Sequence, residues 1–176
     1  MLKVSRFLVV LFPVLLTSCV SNSMQIGTNL TLCCPGNYSE YEEYGVTTRD
    51  IPLFLRDYLV AEFESAFSEK GLTRNDRAND IRVELSYNHV NLDSGQEDIN
   101  PFVRIEAITE ELSYIAQINI DIVETATGRS VWGGSVSRIH QVTPGEYMHE
   151  ERARPAFRQA FLAVLTSYPS LISDDS

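Results

Sequence analysis

The chain reads as an α+β two-layer sandwich, with a mainly antiparallel sheet of four to five strands and two helices packed on one face, in the order β-α-β-β-β-β-α. Three features predict this. Two segments, Ile51–Lys70 and the stretch from Pro155 to Tyr168, repeat apolar residues at helical spacing. Other segments alternate apolar and polar residues with a period of two, the mark of strands with one wet face. The last two strand segments are joined by Thr125-Ala126-Thr127-Gly128, a turn that returns the chain antiparallel. One half-wet sheet and two striped helices bury their apolar sides by stacking in two layers.

In chain order, Ile26, Thr28, Leu30 and Leu32 alternate with Gly27, Asn29 and Thr31 as a first strand, which Cys33-Cys34-Pro35-Gly36-Asn37 turns. Tyr38–Tyr44 is acidic and aromatic together, and Gly45-Val46-Thr47 follows it with no element assigned. Thr48 or Asp50 is expected to cap the first helix, with Pro52 in its first turn, where a missing N–H costs nothing. Ile51, Phe54, Leu55, Tyr58, Leu59, Phe63, Ala66 and Phe67 form its apolar stripe, and Gly71 stands where a left-handed cap belongs. Glu62 falls within or beside the stripe: buried, it is a site candidate; at the edge, it reaches solvent. Ile81–Asn88 alternates as the next strand, Asp93–Asp98 is a loop, and Phe102–Ile108 is a further extended segment. Tyr114–Ile122 gives the clearest strand, and Ser130–Val142 its hairpin partner, with a bulge expected at Gly133-Gly134. Ala156, Phe157, Ala160, Phe161, Val164, Leu165 and Tyr168 mark the last helix, which Pro169 stops.

Ahead of these elements lies a segment of another kind. Lys3 and Arg6 precede a short apolar run, Phe7–Leu16, interrupted by Pro13 and too short to span a bilayer. Its close, Leu16-Thr17-Ser18-Cys19, resembles the lipobox of bacterial lipoproteins, with an ordinary secretory signal as the rival reading. The resemblance implies cleavage before Cys19, with acyl groups on its thiol and its new amino terminus. The chain then divides into residues 1–18 as signal peptide, 19–24 as lipidated cysteine and tether, 25–170 as one α+β domain, and 171–176 as a polar tail. Val20 in place of Asp points to the periplasmic leaflet of the outer membrane in a Gram-negative host.

The net charge of −10 includes Lys3 and Arg6, so the remainder is more acidic still. An acidic domain repels nucleic-acid phosphates and fits anionic headgroups poorly. Its membrane link is therefore expected at Cys19, where each buried CH₂ contributes about 0.8 kcal/mol and several acyl chains make the anchoring permanent.

The order and spacing of several motifs also resemble a family of small bacterial lipoproteins that share a domain of unknown function. Matching stretches are the acidic-aromatic Tyr38–Val46, the helix end Phe67–Leu72, Asn79-Asp80-Ile81, the hairpin Thr127–Gly134 with Asp121 and Glu124 before its turn, and the closing Tyr168-Pro169. One departure is Tyr44-Gly45-Val46, where the family ends in an aromatic tripeptide. The order of elements is similar to envelope lipoproteins that assist assembly machines, such as the lipopolysaccharide-transport lipoprotein. The resemblance implies an architecture and a compartment, and no reaction.

The residues themselves offer little chemistry. His89, His140 and His149 each stand alone, away from the paired spacing that a metal site needs, so no metal and no cofactor is expected. No nucleophile elbow, phosphate loop or dinucleotide fingerprint occurs, and no catalytic residue is assigned. Cys33 and Cys34 are a candidate disulfide, although neighbouring Cα atoms lie about 3.8 Å apart, under the usual span of about 4.4–6.8 Å; the favoured alternative is two small, partly buried residues at the end of a strand. Tyr38, Tyr41 and Tyr44 recur among Glu40, Glu42 and Glu43 as candidate anchors for a partner; the alternative folds them over the core. Trp132, expected on the polar side of its hairpin, is a further candidate anchor if exposed and a core residue if covered; the family resemblance leans toward the structural role. The expectation is a non-enzymatic, lipid-anchored envelope module that binds or assembles with another protein. The alternative is a periplasmic carrier or chaperone for lipid or another apolar ligand.

Overall fold

In the computed structural model, residues 26–92, 112–142 and 150–169 are described, without side chains at 112, 114, 141, 142 and 150–153. The elements are β1 (Ile26–Cys33), β2 (Glu43–Arg49), α1 (Leu53–Phe67), β3 (Thr73–Arg74), β4 (Ile81–Asn91), β5 (Leu112–Glu124), β6 (Ser130–Val142) and α2 (Glu150–Leu165), with 3₁₀ turns at Tyr38–Glu40 and Ser68–Lys70. They build one sheet of six strands, ordered β1-β6-β5-β4-β2-β3. The α+β class and two layers are as the sequence implies; the sheet is larger and mixed. The leader, Cys19, the Asp93–Asp98 loop, the Phe102–Ile108 segment and His149 lie outside the described residues.

The additional strands are β2, which holds the unassigned Gly45-Val46-Thr47, and the short β3. β2 runs parallel to β4, and α1 crosses between them as a βαβ unit. Period-two alternation is weak there because Tyr44 and Gly45 are both buried in succession. Neither Thr48 nor Asp50 caps α1. Pro52 holds the N-cap without a side-chain bond, and Asp50 is left-handed at φ 56°. Gly71 closes the Ser68–Lys70 turn at φ 89°, as its sequence position predicts.

Alternation sorts the sheet cleanly. Ile81, Val83 and Leu85 on β4 face inward with Ile118, Ile120 and Ile122 on β5, while Arg82 and Asp121 face water. Leu55, Leu59, Phe63, Ala66 and Phe67 of α1 close on this face beside Ala160, Phe161, Val164 and Leu165 of α2. Each fully buried Phe or Leu contributes about 1.5–3 kcal/mol from area removed from water. Aromatic rings occupy the middle. Phe63 and Phe161 meet edge to face at 5.4 Å, and Phe67 and Tyr168 at 4.9 Å. Glu62 takes the edge reading: it pairs with Arg154 across the helix seam at 3.1 Å.

The bulge in β6 is at Val131, not at Gly133-Gly134. Ile122 pairs with Trp132 and Val123 with Ser130, so Val131 is the extra residue. That single insertion turns Trp132 from the wet side to the core side, and both Val131 and Trp132 are fully buried. Gly134 makes room for the indole, and Gly133 for the passing β1. A Cβ on Gly134 would lie 2.8 Å from Trp132 Cη2 and 3.0 Å from Val164 Cγ2, and one on Gly133 would lie 2.8 Å from Thr31 Oγ1. Thr31 is itself the extra residue of a second irregularity, where β1 passes Gly133 and Gly134.

Candidate functional site

The tyrosines and the tryptophan are interior residues. Tyr41 and Tyr44 are buried, and Tyr38 is partly buried against the same cluster. The Tyr38 hydroxyl donates to the Val131 carbonyl at 2.5 Å, and burial beside Tyr41 pushes its pKa up to about 12. Tyr41 donates to Glu124 at 3.0 Å. Tyr44 stands edge-on to Phe67, their centroids 4.9 Å apart. An anchor for a partner needs an accessible ring, which Tyr41, Tyr44 and Trp132 do not offer. The three tyrosines fold the acidic segment over one end of the sandwich, and its glutamates take the solvent side.

Cys33 and Cys34 are joined as a vicinal disulfide at the end of β1. Their sulfurs lie 3.7 and 3.8 Å from the Ser167 carbonyl oxygen, just past the end of α2. The Asn79-Asp80-Ile81 motif also has a structural explanation. Asp80 Oδ2 accepts the N–H groups of Glu42 and Glu43, each at 2.9 Å, and Asn79 Oδ1 accepts the Thr125 hydroxyl at 2.8 Å. Glu124 accepts hydroxyls from Thr127 and Tyr41, which hold its carboxyl below the usual range. Resemblance motifs thus gather at one end of the sheet and hold its turns.

A site of a different kind lies between β2 and α1. An open groove of about 400 Å³ is lined by Val46, Thr48, Arg56, Asp57, Val60, Ala61, Glu64 and Arg74. Its floor exists because β3 is short: β3 pairs with β2 only at Glu43 and Tyr44. Beyond that point the outer edge of β2 continues alone among the described residues. The Tyr44 carbonyl accepts the Asn75 N–H at 2.8 Å, and the Val46 N–H is covered by Asp76 Oδ1 at 3.1 Å. Because backbone groups alternate sides along a strand, Thr48 presents its N–H and carbonyl to the same outer edge.

The groove is electrostatically mixed. Arg74 pairs with Glu64 and binds Asp76 through Nε and Nη2, the latter at 2.7 Å. That guanidinium, helped by the Val46 N–H, holds the Asp76 carboxyl below the usual carboxylate range. Sequence reasoning missed this groove because its parts come from three elements. A partial signal was available: Arg56, Val60 and Glu64 repeat at a spacing of four, so they share one side of α1.

The two described histidines stand on different strands. His140 sits on β6, where burial and Arg138 lower its pKa to about 4. His89 stacks on Tyr87 at 6.0 Å on β4. Among the described residues no three His, Cys, Asp or Glu side chains are placed to share a metal ion. No helix among them is long and apolar enough to cross a membrane.

No family model matches the chain, and no curated protein matches it in sequence. The motif resemblance to small bacterial lipoproteins therefore stands on the residues quoted for it. Among solved structures, the chain is similar to a PDZ domain protein from Parabacteroides distasonis, at 17% identity and a TM-score of 0.48 over 84% of this chain. It spans only 36% of that protein's length. It is also similar to a PelC dodecamer subunit from Paraburkholderia phytofirmans, at 8% identity and a TM-score of 0.47, covering 82% of this chain and 98% of that one. A lipoprotein from Neisseria meningitidis matches at 10% identity and a TM-score of 0.42, over 72% of this chain and 99% of the other.

Proposed function

We propose that this chain is a lipid-anchored, non-catalytic module of the bacterial envelope that binds another protein by accepting an extended segment along the edge of β2. The observation that carries this reading is the open edge at Thr48 beside the α1 groove. A guest strand gains main-chain hydrogen bonds from such an edge, and the neighbouring groove selects among its side chains. Leu16-Thr17-Ser18-Cys19 supports the anchor, and the acidic surface supports a protein rather than a nucleic acid as guest. Interlocked aromatic rings, Phe63 on Phe161 between the helices and Tyr44 on Phe67 between sheet and helix, leave the lipid-carrier reading little room.

The test is purification of the lipidated chain from its native membrane in mild detergent, with mass spectrometry of what stays bound. The expected result is a stoichiometric protein that Thr48→Pro releases. Proline there removes an outward N–H and no bond of the β2–β4 ladder, so the unfolding midpoint should hold. A fixed ratio of lipid beyond the anchor, with no protein companion, would favour the carrier instead.

A further inference from the structure

The exposed large apolar side chains are not scattered. Among the described residues they are Leu30, Leu53, Phe54, Val90, Leu92 and Ile139, and all but Leu30 lie at one end of the molecule. The register shows why. β4 ends at Asn91 where β5 begins and β6 finishes, and Val90, Ile115 and Ile139 form one row across these three strands. β2 runs parallel to β4 with Arg49 opposite Ser86, so α1 starts toward the same end and carries Leu53 and Phe54 there. Leu53 is 76% exposed, Val90 51% and Ile139 49%, values unlike the dry core a few residues away. At the opposite end stand polar and charged groups: Glu124, Arg129, Asp76 and Asp80.

The described part of the chain begins at the apolar end. Ile26, the first residue of β1, pairs with Arg138, the neighbour of Ile139. Residues 20–25 allow a reach of at most about 25 Å between Cys19 and Ile26. From Arg138 down β6 to Ser130 the strand runs about 27 Å, and the hairpin turn lies further still. A chain held at Cys19 is thus too short-leashed to stand on its hairpin end. Its apolar end is the one kept near the leaflet.

We infer that the end of the fold bearing Leu53, Phe54, Val90, Leu92 and Ile139 seats in the polar-apolar boundary of the membrane that holds the anchor. This inference rests on the lipid-anchored reading above and adds an orientation to it. The contact is apolar, as the acidic net charge requires, so it is insensitive to salt. Seated this way, the β2 groove opens sideways, parallel to the membrane, and the hairpin end points away from it.

The lone tryptophan, Trp132, is buried and supplies a constant background for the test. Full-length Ile139→Trp, Leu53→Trp and Ala126→Trp chains are prepared lipidated and reconstituted in phosphatidylcholine vesicles with and without bromine on the acyl chains. Intact mass establishes first whether Cys19 is acylated. With an acylated Cys19, bromine should quench the added tryptophan at 139 and at 53, and leave the one at 126 untouched, at low and high salt alike. Equal emission from 139 and 53 with and without bromine overturns the inference, whether a second copy or the chain's own segments shield that end. Quenching that vanishes in high salt overturns it too, since headgroup charge would then hold the domain. An unmodified Cys19 refutes the anchor itself, a separate failure that takes this orientation with it.

Discussion

At the scale of single residues, the fold turns on an insertion of one. Val131 adds a position to β6, Trp132 swings into the core, and Gly134 vacates the space that the indole fills. Gly134→Ala should therefore cost about 1–3 kcal/mol through overpacking, read as a lower midpoint in urea with an unchanged slope. The vicinal disulfide carries a contrasting expectation. A bridge between neighbours closes almost no loop and so restrains the unfolded chain little. Cys33→Ser/Cys34→Ser should leave the thermal midpoint nearly where it was, measured by circular dichroism. His140 sets a pH dependence. Above about pH 6.5 the imidazole is neutral folded and unfolded; between there and its lowered folded pKa of about 4, only the unfolded chain takes the proton. Stability should fall as pH drops through that window, and the fall should flatten in His140→Gln.

At the scale of elements, α1 is held by its rings rather than by its charges. Phe63 is fully buried and meets Phe67 at 5.1 Å and Phe161 at 5.4 Å. Its replacement by Ala should cost about 3–5 kcal/mol. The Arg158–Glu69 pair at 3.3 Å is half-exposed on both sides, so Glu69→Gln should change stability by less than about 1 kcal/mol. Denaturant titration of the two variants side by side separates the contributions. Helix α1 was legible in the sequence because its stripe and its Gly71 cap repeat at helical spacing, and β4 and β5 because they alternate over many residues. β2 was not. A tyrosine and a glycine are buried there in succession on opposite faces, Tyr44 in the core and Gly45 under Asn79, so alternation is hidden, and only the partner strand β4 tells the chain to extend there. Trp132 was misplaced for a related reason: alternation predicts a side only while the register holds, and a bulge is set by the facing strands. The candidate groove was the least legible, because it is bounded by β2, α1 and the point where β3 ends.

At the scale of the whole molecule, the strand order grades the sheet from centre to margin. β5 is paired along both sides, β1 along one, and β3 touches only Glu43 and Tyr44. Native-state hydrogen exchange should be slowest in β5, and fast at β3 and along the outer edge of β1, with the Thr48 amide among the fast ones although it lies within β2. Slow exchange at Thr48 in the isolated chain would mean that its edge is already occupied. The two margins of the sheet are guarded unequally: Asp76 blunts one at Val46, while among the described residues no strand pairs with the outer edge of β1.

The position of β1 also determines how the molecule bears load. If Cys19 holds the chain to a membrane, any pull between that membrane and a protein gripping β2 enters the sheet at Ile26 and runs along the strand axis. β1 lies antiparallel to β6 from Ile26 to Cys33, so such a pull slides one strand lengthwise past the other. The hydrogen bonds of the ladder then resist together rather than opening one after another. A domain held in this way by its outermost strand would carry tension along that strand without being peeled apart.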